Sequence, residues 1–327
     1  MVMIEKKKIF EVLTELPENC GIINFYQNNK PIYSIKTSNI ATKFSVLRKN
    51  LDQDKYLFKM FSLTDKIDFI QTENLFIALL LEKLQIAKFD PDYNHLIKHS
   101  DSYSYLEINF DSVPFFKTAS TTIGNGFYIG PFRNSFFIHD FLTTMNLVAK
   151  FPLCQDHNYP CDLFAKGNCH GYCIKDKSDF LNMVKNNYLT ENEDLVRSLN
   201  KQKRGLDDEL KFERADLIRQ QSRIIEKYYR YLRFFHVAKN LNGEFKEDKR
   251  QKIFLEHGLL SGYDDTTKKW DFPIIGQKHR SNEFLAVDKT YLDEMWIIYN
   301  HLQKDYIENF IKIYLKSIDV LLKLLAA

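Results

Sequence analysis

The stretch GIINFYQNNKPIYSIKTSNIATKF, residues 21–44, decides the fold of the first part of the chain. Two apolar segments, residues 21–26 and 31–34, flank the turn sequence Gln-Asn-Asn-Lys. β-Branched and aromatic residues on both sides of an Asn-rich turn are typical of a β-hairpin. Ser38 and Asn39 follow, and their side-chain oxygens can cap the start of a helix. The stretch therefore predicts a hairpin that leads into a helix ending near residue 51.

Further strands and helices are predicted along the rest of the chain. Apolar alternation predicts a strand over residues 66–71, and the apolar run after Thr-Glu-Asn predicts a helix over 75–88. Residues 103–132 show strand-like alternation broken by glycines. Later helices are predicted over 134–151, 178–185, 193–239 with a break into an antiparallel hairpin near 210–212, and 291–325. The pattern predicts an α+β fold with a mostly helical C-terminal part.

Composition excludes several classes of protein. The chain has 327 residues, enough for two or three domains, and 44% of them are hydrophobic, so a buried core is readily built. Only 11 Gly and 8 Pro exclude collagen-like and low-complexity architectures. The longest apolar run, residues 75–81, is far shorter than the roughly 20 residues that span a bilayer. The N-terminus has no apolar signal region, so we expect a soluble, cytoplasmic protein without membrane contacts.

Positive charge is concentrated in one stretch. The net charge is only +3, but residues 201–240 hold eleven Lys and Arg against six acids. Arginine binds phosphate and carboxylate groups through two parallel hydrogen bonds, so this concentration favours contact with phosphate or an acidic partner. The alternative is a solvated helix face with pairs of opposite charge at i,i+4 spacing.

Four of the five cysteines fall within twenty residues, separated by six, seven and three residues. They are Cys154, Cys161, Cys169 and Cys173. Since disulfides are rare in cytosolic proteins, clustered thiols favour a metal centre. Without a C-x2-C pair, an iron–sulfur cluster fits at least as well as zinc, although His157 or His170 leaves a Cys3His zinc site open. Ordinary buried thiols are the remaining alternative.

Several segments, taken in order, resemble one family over roughly residues 15–230. This family comprises the UvrC-type subunit of the bacterial excinuclease and its shorter relative Cho, which share a GIY-YIG nuclease domain. The segments are 16–44, ALLLEKLQIAKFDPDYN at 78–94, 99–108 with GFYIGPF at 126–132, the four-cysteine stretch 151–173, and LKFERADLIRQQSRIIE at 210–226. The resemblance implies metal-dependent incision of DNA in nucleotide excision repair, with Mg2+ or Mn2+.

The resemblance also implies roles for individual residues. Tyr33 matches the tyrosine of the second signature, Lys36 the lysine after it, and Glu82 the metal ligand. Asn94 matches the asparagine of the Tyr-Asn pair, and Lys43 stands where a catalytic arginine is expected. Such a site needs a hard carboxylate for the cation and positive charge for the phosphate. The implied catalytic set is therefore Tyr33, Lys36, Lys43, Glu82 and Asn94, with Glu82 as metal ligand.

Departures from the signatures put the cutting activity in question. Ile23 replaces the first signature tyrosine, and Tyr33-Ser34-Ile35 lacks the signature glycine. Leu47 stands where a further tyrosine is expected, and a lysine at position 43 cannot form the two-pronged contact of arginine. Two functions follow: a UvrC/Cho-like nuclease with weakened incision, or an inactive DNA-binding scaffold. An unrelated iron–sulfur or zinc protein is a third reading.

The resemblance assigns a cofactor, a partner and a domain plan to the remaining segments. It implies a 4Fe–4S cluster, with Zn2+ as the alternative, on the four cysteines. It implies a UVR-type helical hairpin that binds a UvrB-like protein through Leu210, Phe212, Glu213 and Arg219. The predicted domains are 1–100 for the GIY-YIG-like domain with a small mixed sheet, 101–176 for the cysteine-rich region, 177–240 for the hairpin region and 241–327 for a part of unknown role.

Overall fold

The computed structural model describes residues 2–5, 16–94, 99–154, 161–246, 251–264, 269–271 and 285–325. The chain divides into two compact units, Met1–His99 and Ser100–Ala327. The domain boundaries predicted at residues 100, 176 and 240 stay predictions. Within the described residues, no helix combines the length and the apolar character needed to cross a membrane.

In its described residues, the N-terminal unit consists of a four-stranded sheet and three α-helices. Its elements are β1 Val2–Glu5, β2 Gly21–Gln27, β3 Lys30–Thr37, α1 Ile40–Lys49, α2 Lys55–Leu63, β4 Lys66–Gln71 and α3 Leu75–Phe89. The predicted hairpin, first helix, third strand and apolar helix are all confirmed. Helix α2, which has only nine residues, was not predicted.

Local sequence explains the hairpin and the helix that follows it. Asn28 and Asn29 both have positive φ, 51° and 63°, which is the backbone that a two-residue type I′ turn requires. The Asn39 side chain accepts a hydrogen bond of 2.8 Å from the Thr42 backbone N–H and caps α1, as predicted. At Gly21 an added Cβ would lie 2.1 Å from the Ile70 carbonyl oxygen, so only glycine permits this approach of β4.

The sheet of the N-terminal unit has the order β1-β4-β2-β3, and every pairing among the described residues is antiparallel. The prediction of a mixed sheet here is wrong, because β2 lies between β3 and β4 and separates the two strands that run in the same direction. Buried side chains of the sheet form one core with α1 and α2. Helix α3 packs against β3 and β2.

The C-terminal unit contains two sheets and most of the helices. Its strands are β5 Ser104–Ile108, β6 Phe116–Ala119, β7 Phe127–Phe132, β8 Gly243–Lys246, β9 Lys252–Glu256, β10 Leu259–Asp264, β11 Lys269–Asp271 and β12 Leu285–Ala286. Its helices are α4 Ser135–Ala149, α5 Asp162–Ala165, α6 Lys177–Val184, α7 Glu193–Asp208, α8 Phe212–Ala238, α9 Leu292–Leu302 and α10 Ile307–Leu324. The sheet orders are β12-β7-β5-β6 and β11-β10-β9-β8.

Helix α8 packs against most of the other long helices of this unit. Its C-terminal half is apolar on several sides and contacts α4, α9 and α10. The ring of Tyr228 stacks on that of Phe141 at 3.7 Å between centroids, and Tyr228 donates a 2.7 Å hydrogen bond to the Tyr188 carbonyl oxygen. The predicted break of the long helical stretch is confirmed, since α7 ends at Asp208 and α8 begins at Phe212.

Two predictions for the C-terminal part need correction. The described residues of 241–327 are not mostly helical, because β8 to β11 form an antiparallel sheet there. The strands β8 to β11 are only three to six residues long, and periodicity over so few residues does not separate a strand from linker sequence. The single helix predicted over 291–325 is two helices, since the chain turns between Leu302 and Ile307.

Candidate active site

A cleft of about 740 Å3 lies in the N-terminal unit and brings the predicted catalytic residues together. All five predicted residues line it, although they come from β3, α1, α3 and the segment after α3. The complete lining is Tyr33, Ser34, Ile35, Lys36, Lys43, Leu47, Asp54, Tyr56, Leu57, Met60, Glu82, Tyr93 and Asn94.

Glu82 is the buried carboxylate of the cleft. It lies on α3 and is only 3% exposed. Its Oε1 accepts a 2.9 Å hydrogen bond from the Lys36 backbone N–H, and its Oε2 lies 3.1 Å from Lys36 Nζ. A carboxylate at this depth needs such compensation, because burial strips away its hydration. Lys36 therefore occupies both oxygens of the predicted metal ligand.

Asn94 fixes the outer edge of β3. Its Oδ1 accepts a 2.9 Å hydrogen bond from the Ser34 backbone N–H, and its Nδ2 donates a 2.8 Å bond to the Ser34 carbonyl oxygen. The Tyr93 backbone N–H adds a 2.8 Å bond to the Ile32 carbonyl oxygen. Asn94 is 3% exposed, so these bonds are shielded from water. Its role in the cleft is to position the strand that carries Tyr33 and Lys36.

Tyr33 presents a protonated phenol to the cleft. Burial, followed by the nearby charge of Glu82 and the neighbouring groups Tyr56 and Asp54, raises the pKa of the Tyr33 phenol to about 12. At neutral pH the group is therefore a hydrogen-bond donor. Its ring packs beside that of Phe25 at 5.8 Å between centroids, which anchors Tyr33 to the core.

The structure separates the substituted signature positions into two groups. Leu47, Ile35 and Lys43 line the cleft, so the phenol, glycine and arginine they replace would have faced it. Ile23 instead is fully buried in the core of the unit, with no exposed surface. A larger side chain there would overpack the core.

Two phenols in the cleft were not predicted from the sequence. Tyr56 is the second residue of α2, whose N-cap residue Asp54 accepts hydrogen bonds from the backbone N–H groups of Tyr56 and Leu57 at 2.8 and 3.1 Å. The ring of Tyr56 lies 4.8 Å from that of Tyr93 between centroids. The Tyr93-Asn94 pair was noted in the sequence, but only its asparagine was selected. Because α2 was not predicted, nothing in the sequence placed Tyr56 near Tyr33.

The donors of this cleft suit a hard divalent cation bound to a phosphate. Within the described residues no group of three or more His, Cys, Asp or Glu side chains is arranged to hold a metal ion. Glu82 is the buried carboxylate that would serve as a ligand, with water and phosphate oxygens completing the shell, as Mg2+ commonly accepts. The residues fit the cation in chemical type, with Lys36 as the competing counter-ion.

The four cysteines lie close together but not in metal-binding geometry. Burial, followed by the neighbouring thiols of Cys169, Cys173 and Cys161, raises the pKa of Cys154 to about 12. The Gly171 backbone N–H lies 3.4 Å from the sulfur of Cys169. No ligand set of three or more emerges among the described side chains. Neutral thiols do not attract one another, so without a metal the positions of the four sulfurs are set by the surrounding chain. His157, the other candidate ligand, lies outside the described residues.

The predicted partner-binding residues lie at the tip of the α7–α8 hairpin. Leu210 and Phe212 are 73% and 62% exposed, and Glu213 is also exposed. Arg219 pairs with Asp216 one turn earlier on α8. The tip thus presents apolar side chains to solvent, whereas most apolar residues in the C-terminal half of α8 are buried inside the unit.

A buried carboxylate, two lysines and a phenol thus lie around one cleft. No family model matches the chain. It is 27% identical over 220 residues to the UvrABC system protein C of Rickettsia felis, covering 63% of this chain and 34% of the relative. It is 29% identical over 174 residues to that of Thermotoga maritima, covering 52% of this chain and 31% of the relative. These relatives support a UvrC-like GIY-YIG family for the chain, which spans about a third of their length.

A solved structure is similar to the first part of the chain. It is the GIY-YIG N-terminal endonuclease domain of UvrC from Thermotoga maritima, bound to its catalytic divalent cation, magnesium. The match is 27% identical and covers 27% of this chain and 98% of that domain, with a TM-score of 0.26.

Proposed function

We propose that the N-terminal unit is a metal-dependent DNA phosphodiester nuclease site of the nucleotide excision repair type, and that its incision is weak. The observation that carries the proposal is the convergence of Tyr33, Lys36, Lys43, Glu82 and Asn94 on one cleft. The similarity to UvrABC system protein C supports the same reaction and DNA as the substrate.

Each residue of the cleft then has a role. When bound at Glu82, Mg2+ or Mn2+ would polarise a phosphate oxygen. Lys36 and Lys43 offset the negative charge of the phosphate, and Tyr33 donates a hydrogen bond from its protonated phenol. Asn94 keeps β3 in place, so that Tyr33 and Lys36 face the cleft together.

Three features account for weak incision. The protonated Tyr33 phenol, with a pKa of about 12, is a poor general base near neutral pH. Lys43 supplies a point charge where a guanidinium would hold two phosphate oxygens. Leu47 adds no hydrogen-bond donor to the cleft. The cleft therefore lacks groups that would stabilise the transition state, and incision is slow.

The experiment that tests the proposal is nicking of damaged duplex DNA with Mn2+. We expect slow incision by the wild-type protein and none by Glu82→Gln. The matched control is Glu73→Gln, which changes an exposed carboxylate just before α3 and should keep the wild-type rate. Incision that survives in Glu82→Gln would contradict the assignment of the metal ligand.

An inactive DNA-binding scaffold is the second candidate function. It is favoured by the engagement of both Glu82 oxygens by Lys36, with which a cation would have to compete. In that case neither Mg2+ nor Mn2+ would support nicking, while binding to damaged duplex DNA would remain.

We further propose that the four cysteines hold a metal centre, 4Fe–4S with Zn2+ as the alternative. The four cysteines are clustered in the sequence, and three of their thiols contribute to the raised pKa of the fourth, Cys154. Both observations support the proposal. Protein purified without oxygen should be brown and lose its colour on Cys169→Ser. The matched control is Cys20→Ser, which changes a thiol of the other unit. A colourless preparation with one equivalent of zinc would select the alternative.

We also propose that the α7–α8 tip binds a UvrB-like helical hairpin. Leu210, Phe212 and Leu217 together expose an apolar surface that the unit itself does not cover. Leu217→Ala should weaken capture of a UvrB-like protein, whereas Leu315→Ala, equally exposed on α10, should not. Equal capture by both variants would assign the tip no role in partner binding.

A further inference from the structure

A second cavity, of about 310 Å3, lies in the C-terminal unit between facing sides of α8 and α9. Helix α8 contributes four residues over two turns, and α9 with its C-cap residue contributes four more. The lining is Lys227, Arg230, Tyr231, Arg233, Trp296, Tyr299, Asn300 and Gln303. It combines cations, aromatic rings and amides, and none of these described lining residues is acidic.

Two of the three cations that line the cavity form no ion pair among the described residues. Lys227 and Arg230 are exposed, and within the described part of the chain neither forms an ion pair with a carboxylate. Lys227 Nζ lies 4.6 Å from the centre of the Phe137 ring. Arg233, in contrast, is held by Glu191 through two hydrogen bonds of 2.6 Å. Lys227 and Arg230 are therefore available for an anionic ligand.

An indole forms the aromatic part of the same cavity. Trp296 is partly buried, and the rings of Tyr231 and Phe234 lie 4.9 and 4.7 Å from it between centroids. The guanidinium of Arg133 lies 5.7 Å from the indole centre and is itself paired with Asp293. These neighbours hold the indole in place, so little side-chain entropy is lost when a flat ligand stacks on it.

We propose that this cavity binds one nucleotide unit of a single DNA strand, with the base against Trp296 and the phosphate against Arg230 and Lys227. Aromatic stacking combined with Lys and Arg contacts to the backbone is how proteins hold single strands without reading sequence. The volume is at the lower end of small-molecule sites, which suits a single nucleotide. The choice of a DNA strand over a free nucleotide rests on the proposed function.

The chain contains two tryptophans, Trp270 and Trp296, which allows a direct optical test. In the Trp270→Phe background all indole fluorescence comes from Trp296. Titration with a short oligothymidylate should quench this fluorescence, and added salt should reverse the quenching. Unchanged fluorescence at saturating oligothymidylate would overturn the proposal.

Variants separate stacking from phosphate contact, with fluorescence anisotropy of a labelled oligothymidylate as the readout. Trp296→Leu should weaken binding about tenfold or more, and Trp296→Phe should retain most of the affinity. Arg230→Gln should weaken binding and reduce the slope of log affinity against log salt by about 0.7. The matched control is Arg214→Gln, an exposed arginine on the same helix outside the cavity.

Two results would contradict the proposal. An equal loss in Arg214→Gln and Arg230→Gln would mean diffuse attraction along α8. Binding of thymidine monophosphate as tight as that of the oligonucleotide would identify a free-nucleotide site. Circular dichroism of every variant checks folding. Since Glu82→Gln should leave this binding intact, failure here and failure of the nuclease proposal are distinguishable.

Discussion

The N-terminal cleft and the cavity between α8 and α9 differ in how their charged groups are paired. In the N-terminal cleft, Glu82 is buried and both of its oxygens are engaged by Lys36. In the C-terminal cavity, Lys227 and Arg230 are exposed and lack ion-pair partners among the described residues. A ligand of the first site must displace an existing interaction, whereas a phosphate at the second site gains its contacts directly. The first arrangement suits a reaction that proceeds only after a ligand has displaced Lys36 from Glu82. The second arrangement suits a phosphate ligand that stays bound.

The largest expected effect is the recovery of incision when the cleft regains its lost groups. Lys43→Arg with Leu47→Tyr restores a two-pronged phosphate contact and a phenol, each worth on the order of 2 kcal/mol in the transition state. Together they should raise the nicking rate with Mn2+ about thousandfold. Nicking of damaged duplex DNA measures the gain.

The control for this recovery is Glu82→Gln in the same double variant, which should remove the added activity. Ile23→Tyr is not part of the series, because Ile23 has no exposed surface and the phenol would enter the core. A double variant that is folded by circular dichroism but cuts no faster than wild type would contradict the assigned roles of positions 43 and 47.

Acid should weaken the C-terminal unit through His236. This histidine is fully buried, with Nε2 2.9 Å from the Leu189 carbonyl oxygen and Nδ1 2.8 Å from Ser317 Oγ. Burial lowers its pKa to about 4, from 6.5 in the unfolded chain. The unfolded chain therefore binds more protons, and up to about 3 kcal/mol of stability is lost between pH 6.5 and pH 4.

Glu294 should oppose this dependence. Burial raises its pKa to about 7, while its Oε1 accepts a 3.0 Å hydrogen bond from the Leu260 backbone N–H. Here the folded chain binds more protons, so stability falls as pH rises from about 4.5 to 7, by on the order of 3 kcal/mol. In the overlapping pH range the two groups nearly cancel.

Urea unfolding followed by tryptophan fluorescence at pH 5 and pH 8 separates these two contributions. Glu294→Gln should be more stable than wild type at pH 8 and should expose the acid sensitivity due to His236. His236→Gln should show the opposite slope. Identical pH profiles for wild type and both variants would contradict the burial argument.

The smallest expected effect concerns the ion pair of the N-terminal cleft. Lys36→Met removes the ammonium group from Glu82 and should cost about 1–2 kcal/mol, less than for a fully buried pair because the lysine side chain is 36% exposed. The same change should tighten Mn2+ binding, since the cation no longer competes with Lys36. Calorimetric titration with Mn2+ and thermal unfolding measure both effects.

The matched control is Lys59→Met, which changes an exposed lysine on α2 outside the cleft. It should alter neither stability nor Mn2+ affinity by a measurable amount. If Lys36→Met bound Mn2+ no better than Lys59→Met, the ammonium would not be competing for the metal ligand.

The sequence by itself determined the local elements of this protein. The Asn-Asn turn, the cap at Asn39 and the apolar run of α3 act over a few residues, so their structures follow from nearest neighbours. The break between α7 and α8 was likewise visible in the sequence. The sheet formed by β8 to β11 was not visible in the sequence, because short apolar runs do not specify how strands pair.

Only the tertiary structure decided how the chemistry is arranged. It placed Tyr56 in the cleft, buried Ile23 in the core and set Lys36 against both oxygens of Glu82. It also joined the basic face of α8 to Trp296 in one cavity. These pairings join residues that are distant in the sequence, and no local pattern encodes them. They arise because packing the apolar faces of sheets and helices fixes which polar side chains meet.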